Sequence, residues 1–155
     1  MEIEYSREDI SRKAADVHIR PATEADSATI HRMVRAEHLD PTAIKWQNFL
    51  VAEKDGQIVG IGQIRQHADC QELGSLVVLL DYRRRGVAAA LIEALTARAG
   101  RPLYLFCRDR MAPYYEQFGF ARIGYWQAPR SLRLKILIPM AFRLFGIRIV
   151  IMRKV

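Results

Sequence analysis

Hydrophobic positions along the chain recur with two periods, which predict strands and helices in alternation. Ile30, Met33 and Val34 recur at helical spacing and predict a helix over about residues 24–37. An apolar run with almost no polar residue predicts a strand at 72–79 that is covered on both faces. Further strands are predicted at residues 18–20, 49–53, 58–61, 103–107, 120–126 and 147–152, and further helices at 87–99 and 112–117.

Two local features predict how the strands pair. Asp55-Gly56 stands between two apolar runs and is typical of a two-residue hairpin turn, so the flanking strands are expected to be antiparallel. The strand at 72–79, the loop after it, the helix at 87–99 and the strand at 103–107 form a crossover unit. Such a unit implies parallel pairing of its two strands. The pattern therefore predicts an α/β domain with a mixed sheet.

Composition is typical of a single globular domain. The chain has 155 residues, of which 50% are hydrophobic and 26% charged, enough to bury a core without a disulfide or a metal. Cys70 and Cys107 match neither a disulfide framework nor a zinc-ligand spacing, and the histidines are scattered. We therefore expect a reducing compartment and no metal site. No signal peptide or membrane-spanning apolar run is visible, so a soluble, cytoplasmic protein is expected.

Positive charge is concentrated at one end of the chain. The formal net charge is +7, and residues 130–155 include no acidic residue, whereas acidic and basic residues balance elsewhere. We divide the chain into an N-terminal arm (1–17) and one domain (18–155), whose segment 130–155 is basic and apolar and ends in a strand. The charge excess predicts an anionic partner and comes from Arg130, Arg133, Lys135, Arg143, Arg148, Arg153 and Lys154.

The segment 130–155 has two interpretations. Its apolar residues interleave with basic ones, as in an amphipathic segment that binds anionic lipid at a membrane surface. The alternative, which we prefer, is that it covers the substrate side of the sheet or the surface of a homodimer. Pro139 argues against one straight helix here. Aromatic residues for base stacking are few in this segment, so no nucleic-acid partner is expected.

The loop between the strand at 72–79 and the helix at 87–99 offers a binding site for an anion. Backbone N–H groups at a helix start have no helical partner and lie at the positive end of the helix dipole. Gly86 allows close approach of the backbone, and the small Ala88 leaves space. Three successive arginines, residues 83–85, add charge that suits a diphosphate. The alternative is a basic loop that contacts only solvent.

Four motifs in this order resemble the GNAT acetyltransferase superfamily. Arg83-x-x-Gly86-x-Ala88 matches the family signature Arg/Gln-x-x-Gly-x-Gly/Ala. The preceding segment 72–78 resembles the fourth strand of the family, and the block 112–120 resembles its later motif around a Tyr-Glu pair. The segment 19–26 is similar to the usual opening of the family. The resemblance covers roughly residues 18–127 and leaves out 1–17 and 128–146.

The resemblance implies a mixed, mostly antiparallel sheet with a central parallel pair, splayed at the acetyl-CoA cleft, and helices on both faces. It implies an acetyl-CoA-dependent N-acetyltransferase in which acetyl-CoA, a primary amine and the enzyme form a ternary complex. The pantetheine arm is expected along strand residues 76–78, and the pyrophosphate on the amides of residues 84–88. The coenzyme-binding residues that it implies are Leu76, Val78, Arg83, Arg84, Arg85, Gly86, Val87 and Ala88.

The same resemblance implies which residues are catalytic. Glu72 matches the glutamate that acts as general base in many relatives, often through water; its alternative is a solvated carboxylate at a strand end. Tyr115 matches the tyrosine that often protonates the coenzyme sulfur, and a phenol with an ordinary pKa of about 10 suits that task. The adjacent Tyr114 is expected to pack. The Val78 amide is the implied oxyanion donor.

The chain departs from the family pattern at three positions. Leu80 stands where a proline is common, Arg84 where a glycine is common, and Asp109 where an asparagine often touches the coenzyme. We expect Asp109 to pair with Arg108 or Arg110.

Aromatic residues before the hairpin are candidates for the acceptor site. Trp46 and Phe49 fall in the region that walls the acceptor pocket in this superfamily, although core packing is an equal alternative for both. Cys107 is expected to be a packing residue and not a nucleophile. The acceptor is a small molecule or a protein: free amino acids, polyamines, protein amines and amine antibiotics are all open. The alternative function is a non-catalytic acyl-CoA-binding or regulatory module with a membrane- or protein-binding tail.

Overall fold

A computed structural model describes residues 16–141, 146 and 148–155, and only the backbone of 138–141. The predicted arm at 1–17 lies almost entirely outside the described residues. In the described part of the chain the elements are β1 (His18–Pro21), α1 (Ser27–Ala36), β2 (Phe49–Lys54), β3 (Gln57–Gln66), β4 (Gln71–Val78), α2 (Val87–Arg98), β5 (Leu103–Arg108), α3 (Ala112–Glu116), β6 (Phe120–Ile123), α4 (Arg130–Ala141) and β7 (Ile149–Lys154).

The seven strands form one sheet in the order β1-β2-β3-β4-β5-β7-β6. Strands β4 and β5 are parallel, with Gln71 opposite Leu103, and β1–β2, β2–β3, β5–β7 and β6–β7 are antiparallel. A helix connects β4 to β5, as the crossover pattern requires. The expected mixed, mostly antiparallel sheet with a central parallel pair is therefore confirmed.

Contacts divide the chain into two compact units. The first comprises Met1–Gln63 with Ser75–Arg98, and the second comprises Ile64–Gly74 with Ala99–Val155. Strands β3 and β4 each contribute to both units. The basic turn after β4 belongs to the first unit, and Glu72 and Tyr115 belong to the second.

The core of the first unit forms where α1 packs on β2. The helix buries Ile30, Met33 and Val34, which are the residues whose spacing predicted it, against Phe49 and Val51. Burial of a large aliphatic side chain contributes about 1.5–3 kcal/mol, so this stripe is the main reason that a helix of ten residues is stable here.

Two glycines of β3 allow α2 to lie close to the sheet. A Cβ added at Gly60 would lie 2.9 Å from a methyl group of Val87, and one at Gly62 would lie 2.8 Å from a methyl group of Leu95. Real Cβ atoms do not approach other carbons so closely, so a larger residue would force the side chains of Val87 or Leu95 on α2 to shift. This packing sets the position of α2, which begins at the basic turn.

The hairpin between β2 and β3 has the predicted two-residue turn. Asp55 has φ 49° and Gly56 has φ 75°, so both residues are in the left-handed region, as a type I′ turn requires. The antiparallel register of β2 and β3 follows from it.

The second unit packs α4 against its strands. Leu132 contacts Cys70 and Tyr104, and Ile136 contacts Ile151. Our expectation that Pro139 would prevent one straight helix was wrong, because α4 runs from Arg130 to Ala141. Proline removes one helical hydrogen bond and crowds the preceding turn, but here it stands within the last three residues, after the packed turns at 132 and 136.

The predicted strand 120–126 ends earlier than expected, at Ile123. The backbone N–H of Gly124 donates to the side-chain oxygen of Gln127 (2.7 Å), and the N–H of Gln127 donates back to the Gly124 carbonyl (3.0 Å). These two bonds close a 3-10 turn over Tyr125–Gln127, so the chain leaves the sheet there.

An ion-pair network joins the start of the first unit to β2. The Arg20 guanidinium donates to Asp26 (2.8 Å) and to Glu53 (2.7 Å), and Asp26 also accepts from the backbone N–H of Thr23 (2.7 Å). Hydrogen bonding from Arg20 is the largest cause that holds the pKa of Asp26 far below its usual range. The ionised carboxylate therefore stabilises the folded state.

We expect Asp26→Asn to lower the free energy of unfolding by about 2 kcal/mol at pH 7, because hydrogen bonds to a charged group are lost. The pKa of Asp26 is lower in the folded chain than in the unfolded chain, so this stabilisation is complete above pH ~4 and is lost as the pH falls below it. Urea unfolding at pH 7 and pH 3 measures both effects. The exposed Glu24→Gln is the matched control, and equal stability of the two variants at pH 7 would contradict the prediction.

Candidate active site

The basic turn is built from two left-handed residues between β4 and α2. Arg84 has φ 61° and Gly86 has φ 80°. A left-handed conformation costs about 1–2 kcal/mol for a residue with a Cβ, so the backbone of Arg84 is strained whereas that of Gly86 is not. The backbone of the turn is thus held in an unusual conformation directly before α2.

The start of α2 presents backbone donors. The first helical bond runs from the Ala90 N–H to the Gly86 carbonyl (3.0 Å), so the preceding N–H groups have no partner within the helix. The side chains of Arg84 and Arg85 are exposed on the same turn, and the Arg85 guanidinium lies 5.7 Å from the centre of the Tyr82 ring. Donors, helix dipole and positive charge together suit a phosphate group.

Arg83 has two contacts within the first unit. Its Nε donates to the Val78 carbonyl (2.9 Å), and its Nη2 donates to the Glu37 carboxylate (2.7 Å). These contacts tie the turn to the end of β4 and to the residue after α1. The coenzyme contact of Arg83 stays a prediction.

Ser75 interrupts β4 halfway along its length. It has φ 49° inside a strand, and its hydroxyl accepts a hydrogen bond from the buried Gln63 side chain (2.9 Å). A left-handed residue in a strand bends it and redirects the groups that follow, here Leu76 and Val78. No sequence signal marked this position, because serine is ordinary in strands and the bend depends on Gln63.

Glu72 lies at the centre of a buried charge cluster, which we call the Glu72 cluster and which comprises Arg65, His67, Glu72 and Lys135. The Glu72 side chain is 3% exposed. Its Oε1 accepts from Arg65 Nη1 (3.1 Å) and Lys135 Nζ (2.9 Å), and its Oε2 lies 2.8 Å from His67 Nε2 and 2.9 Å from Lys135 Nζ. The alternative of a solvated strand-end carboxylate is therefore wrong.

Three of these four residues were not among the candidates from the sequence. Arg65 comes from the end of β3, His67 from the β3–β4 turn and Lys135 from α4. Arg65 and His67 lie seven and five residues before Glu72, whereas Lys135 lies 63 residues after it and reaches it only because α4 packs within the second unit. The basic character of 130–155 was the one signal that pointed to this region.

Tyr115 stands on the short helix α3. Its ring packs edge-on against Tyr114 (5.7 Å between centroids) and Phe120 (6.2 Å). Burial is the main cause that raises the pKa of the Tyr115 phenol well above its usual value, since the phenolate would lose its hydration. The side chain keeps its proton at neutral pH, as a general acid must. Tyr114 packs against Phe118, as expected for it.

A family model described as an acetyltransferase (GNAT) domain matches residues 45–122, half of the chain. The chain belongs to the GNAT acetyltransferase family. The match includes the basic turn, Glu72 and Tyr115. It does not include α4, so Lys135 lies outside the matched region.

Solved structures share the GNAT fold with this chain. N-acetylglutamate synthase from Neisseria gonorrhoeae, complexed with coenzyme A and N-acetyl-glutamate, aligns with a TM-score of 0.73 and 21% identity over 90% of this chain and 35% of that chain. Rv2747 from Mycobacterium tuberculosis, in complex with CoA and NLQ, aligns with a TM-score of 0.71 and 16% identity over 89% and 98%. Ard1 from Thermoplasma volcanium aligns with a TM-score of 0.59 and 20% identity over 71% and 86%.

This GNAT chain thus spans about a third of the synthase and nearly all of Rv2747. Because these sequences are only 16–21% identical to this chain, the structural similarity shows a shared fold. A search of the curated proteins found no match.

Cys107 and Asp109 of this GNAT domain, which the sequence analysis also considered, have surroundings that bear on their expected roles. Burial raises the pKa of the Cys107 thiol to about 11, so the thiol is protonated at neutral pH and fits the packing role expected for it. Asp109 forms an ion pair with Arg122, and not with Arg108 or Arg110 as we expected. The reason is that Arg122 on β6 reaches both Asp109 and Glu116.

The two aromatic acceptor candidates lie in or against the core of the first unit. Phe49 is fully buried, and Trp46 packs against the same cluster from its edge. The burial of Phe49 favours the packing alternative, and the acceptor contact of Trp46 stays a prediction.

Neither a metal-ligand cluster nor a membrane-spanning helix occurs among the described residues. Within them, no group of three or more potential His, Cys, Asp or Glu ligands is placed to hold a metal ion. None of their helices is long and apolar enough to cross a membrane. The exposed surface of the second unit includes Trp126, Leu134 and Leu137, and the lipid contact of 130–155 stays a prediction.

Proposed function

We propose that this chain is an acetyl-CoA-dependent N-acetyltransferase that transfers the acetyl group to a primary amine in a ternary complex. The observation that carries the proposal is the left-handed turn at Arg84 and Gly86 before α2, inside the segment that matches the family model. Membership of the GNAT family and the coenzyme A in two similar structures support it.

In this proposal the coenzyme diphosphate binds to the backbone N–H groups of residues 84–88, with Arg84 and Arg85 adding charge. The pantetheine arm follows β4 at Leu76 and Val78. The bend at Ser75 supports this arrangement, because a left-handed residue inside a strand redirects the backbone groups that follow it. Binding both reactants in one complex lowers the barrier mainly through their positioning.

Acetyl transfer requires three events: an ammonium loses a proton, an oxyanion is stabilised and a thiolate gains a proton. We propose Tyr115 as the acid that protonates the coenzyme sulfur, supported by its place in the segment that matches the family model. The Val78 amide is the proposed oxyanion donor. Glu72 is proposed to support removal of a proton from the amine, either by taking the proton itself or through a group that Glu72 contacts.

We further propose that the acceptor amine also carries a carboxylate. The Glu72 cluster has one acidic residue against the two cations Arg65 and Lys135, so its charge is positive overall even with His67 neutral. A positive site attracts an anionic group and disfavours polycations. N-acetyl-glutamate in the similar synthase supports this acceptor class.

The test is a thiol-release assay with acetyl-CoA and a panel of amines: amino acids, amino acid amides, polyamines and a lysine peptide. We expect release with amino acids and little with their amides. Tyr115→Phe should lower kcat about 100-fold and leave the KM for acetyl-CoA unchanged, since only proton transfer is lost. Tyr114→Phe, which removes the neighbouring hydroxyl, is the matched control.

Two outcomes would contradict the proposal. Coenzyme binding without thiol release from any amine would favour the non-catalytic acyl-CoA-binding module. Equal turnover by Tyr115→Phe and the wild type would exclude Tyr115 as the acid.

A further inference from the structure

The carboxylate of Glu72 has no free lone-pair position for a further hydrogen-bond donor. An ionised carboxylate offers about four lone-pair positions on its two oxygens. The four contacts with Arg65, His67 and Lys135 occupy them: two on Oε1 and two on Oε2. An acceptor ammonium can reach Glu72 only by displacing one of these partners, so a different group must take its proton directly.

Among the three partners, only His67 is suited to that task. A guanidinium does not lose its proton in proteins, and a lysine ammonium against a carboxylate holds its own. Imidazole is the side chain that binds and releases a proton near neutral pH. The Glu72 cluster therefore includes one group able to act as a base towards an ammonium.

The contact with Glu72 determines which ring nitrogen of His67 is basic. Nε2 lies 2.8 Å from Glu72 Oε2, and because an ionised carboxylate only accepts, Nε2 carries the proton and donates it. In the neutral ring Nδ1 is then the acceptor. The side chain is 20% exposed, so solvent and small molecules reach part of the ring. A carboxylate that orients a histidine is a common device for positioning a base.

The backbone at His67 is also held in place. Its N–H donates to the Cys70 carbonyl (3.0 Å), which closes the turn between β3 and β4. Arg101 donates through Nη1 to the His67 carbonyl (2.9 Å) and through Nη2 to the Ala68 carbonyl (2.6 Å). The ring is therefore fixed at both its side chain and its main chain, as a base that acts at a defined position requires.

We propose that His67 is the general base of the acetyl transfer and that Glu72 is its positioning residue; this rests on the proposed function. His67 Nδ1 takes a proton from the acceptor ammonium, and the freed lone pair attacks the thioester carbonyl carbon. The C–S bond breaks, and Tyr115 gives its proton to the sulfur. Tyr115 regains a proton from the nitrogen of the adduct, and His67 releases its proton to solvent, so one proton is released per acetyl group.

Charged groups from several elements surround His67. Glu72 lies on β4, Arg65 on β3, Lys135 on α4 and Arg101 before β5. Asp69, within the same turn, accepts from Ser131. The proposal therefore rests on the contact of the ring with Glu72 and on its partial exposure.

The test is the pH dependence of kcat/KM for the acceptor in the wild type, His67→Gln and His18→Gln. The glutamine amide can still donate to Glu72 but cannot take a proton, so the Glu72 cluster keeps its contacts. His18 is exposed on β1 and is the matched control. We expect His67→Gln to lower kcat about 100-fold and to lose the acid limb of the profile, with the KM for acetyl-CoA unchanged.

Added imidazole should restore part of the turnover of His67→Ala, which a purely structural role would not predict. If the wild type acetylates an amine while His67→Gln keeps its rate and its acid limb, the inference is overturned and the proposed function stands. If the wild type releases no thiol with any amine, the proposed function itself fails. Melting temperature and coenzyme binding of each variant establish that it is folded.

Discussion

Gly86→Glu is expected to abolish coenzyme binding, with a loss of at least about 1000-fold in affinity, or about 4 kcal/mol. Gly86 has φ 80°, so a side chain there is strained by about 1–2 kcal/mol before any ligand binds. The added carboxylate would also stand beside the N–H groups proposed to hold the diphosphate and would repel it. Calorimetric titration with coenzyme A measures the effect directly.

The matched control is Gly56→Glu, because Gly56 has φ 75° in the same unit and nothing lies within 4 Å of an added Cβ. It introduces the same charge and a similar backbone strain at the β2–β3 hairpin. We expect it to lower the melting temperature slightly and to bind coenzyme A normally. Retained affinity in folded Gly86→Glu would place the diphosphate elsewhere and remove the observation on which the proposed function rests.

Glu72→Gln is expected to lower the free energy of unfolding by about 3–5 kcal/mol, the usual cost of removing one partner from a buried ion pair. The amide leaves Arg65 and Lys135 facing each other without a counter-charge, and its NH₂ group opposes one of the donors. Arg65 is 7% exposed, so water does not replace the lost contact. Chemical denaturation at pH 7 measures the change.

Glu93→Gln is the control for that variant, because Glu93 is exposed on α2 and its loss should change stability by less than about 0.5 kcal/mol. A double variant, Glu72→Gln with Lys135→Gln, should recover part of the loss, since one uncompensated charge is removed. If Glu72→Gln is as stable as the control, the ion pairs of the Glu72 cluster do not hold the second unit together.

Several elements could be predicted because their signals are local. The stripe of Ile30, Met33 and Val34 requires a helix, and Asp55-Gly56 requires a tight hairpin. The strand–helix–strand pattern of the crossover requires β4 and β5 to pair in parallel, as they do. In each case the residues that determine the structure are neighbours in the sequence.

Other features depended on partners that are distant in the sequence. The helix α4 continues through Pro139 because its earlier turns pack on β5 and β7. Helix propensity, which is a local property, does not include that packing. The end of β6 at Ile123 is different, because it is set locally: the Gln127 side chain accepts from the Gly124 N–H three residues earlier, and the apolar pattern does not show this. The expected partners of Asp109 were its sequence neighbours, whereas its actual partner Arg122 comes from another strand.

The sequence alone determined the family, the order of the elements and the basic turn at Arg84–Gly86, because motif spacing and turn chemistry act between adjacent residues. The tertiary structure alone decided the surroundings of Glu72. Its burial and the convergence of Arg65, His67 and Lys135 on its two oxygens depend on how a hairpin and a later helix pack. Electrostatic interactions act through space, so residue order along the chain does not specify them.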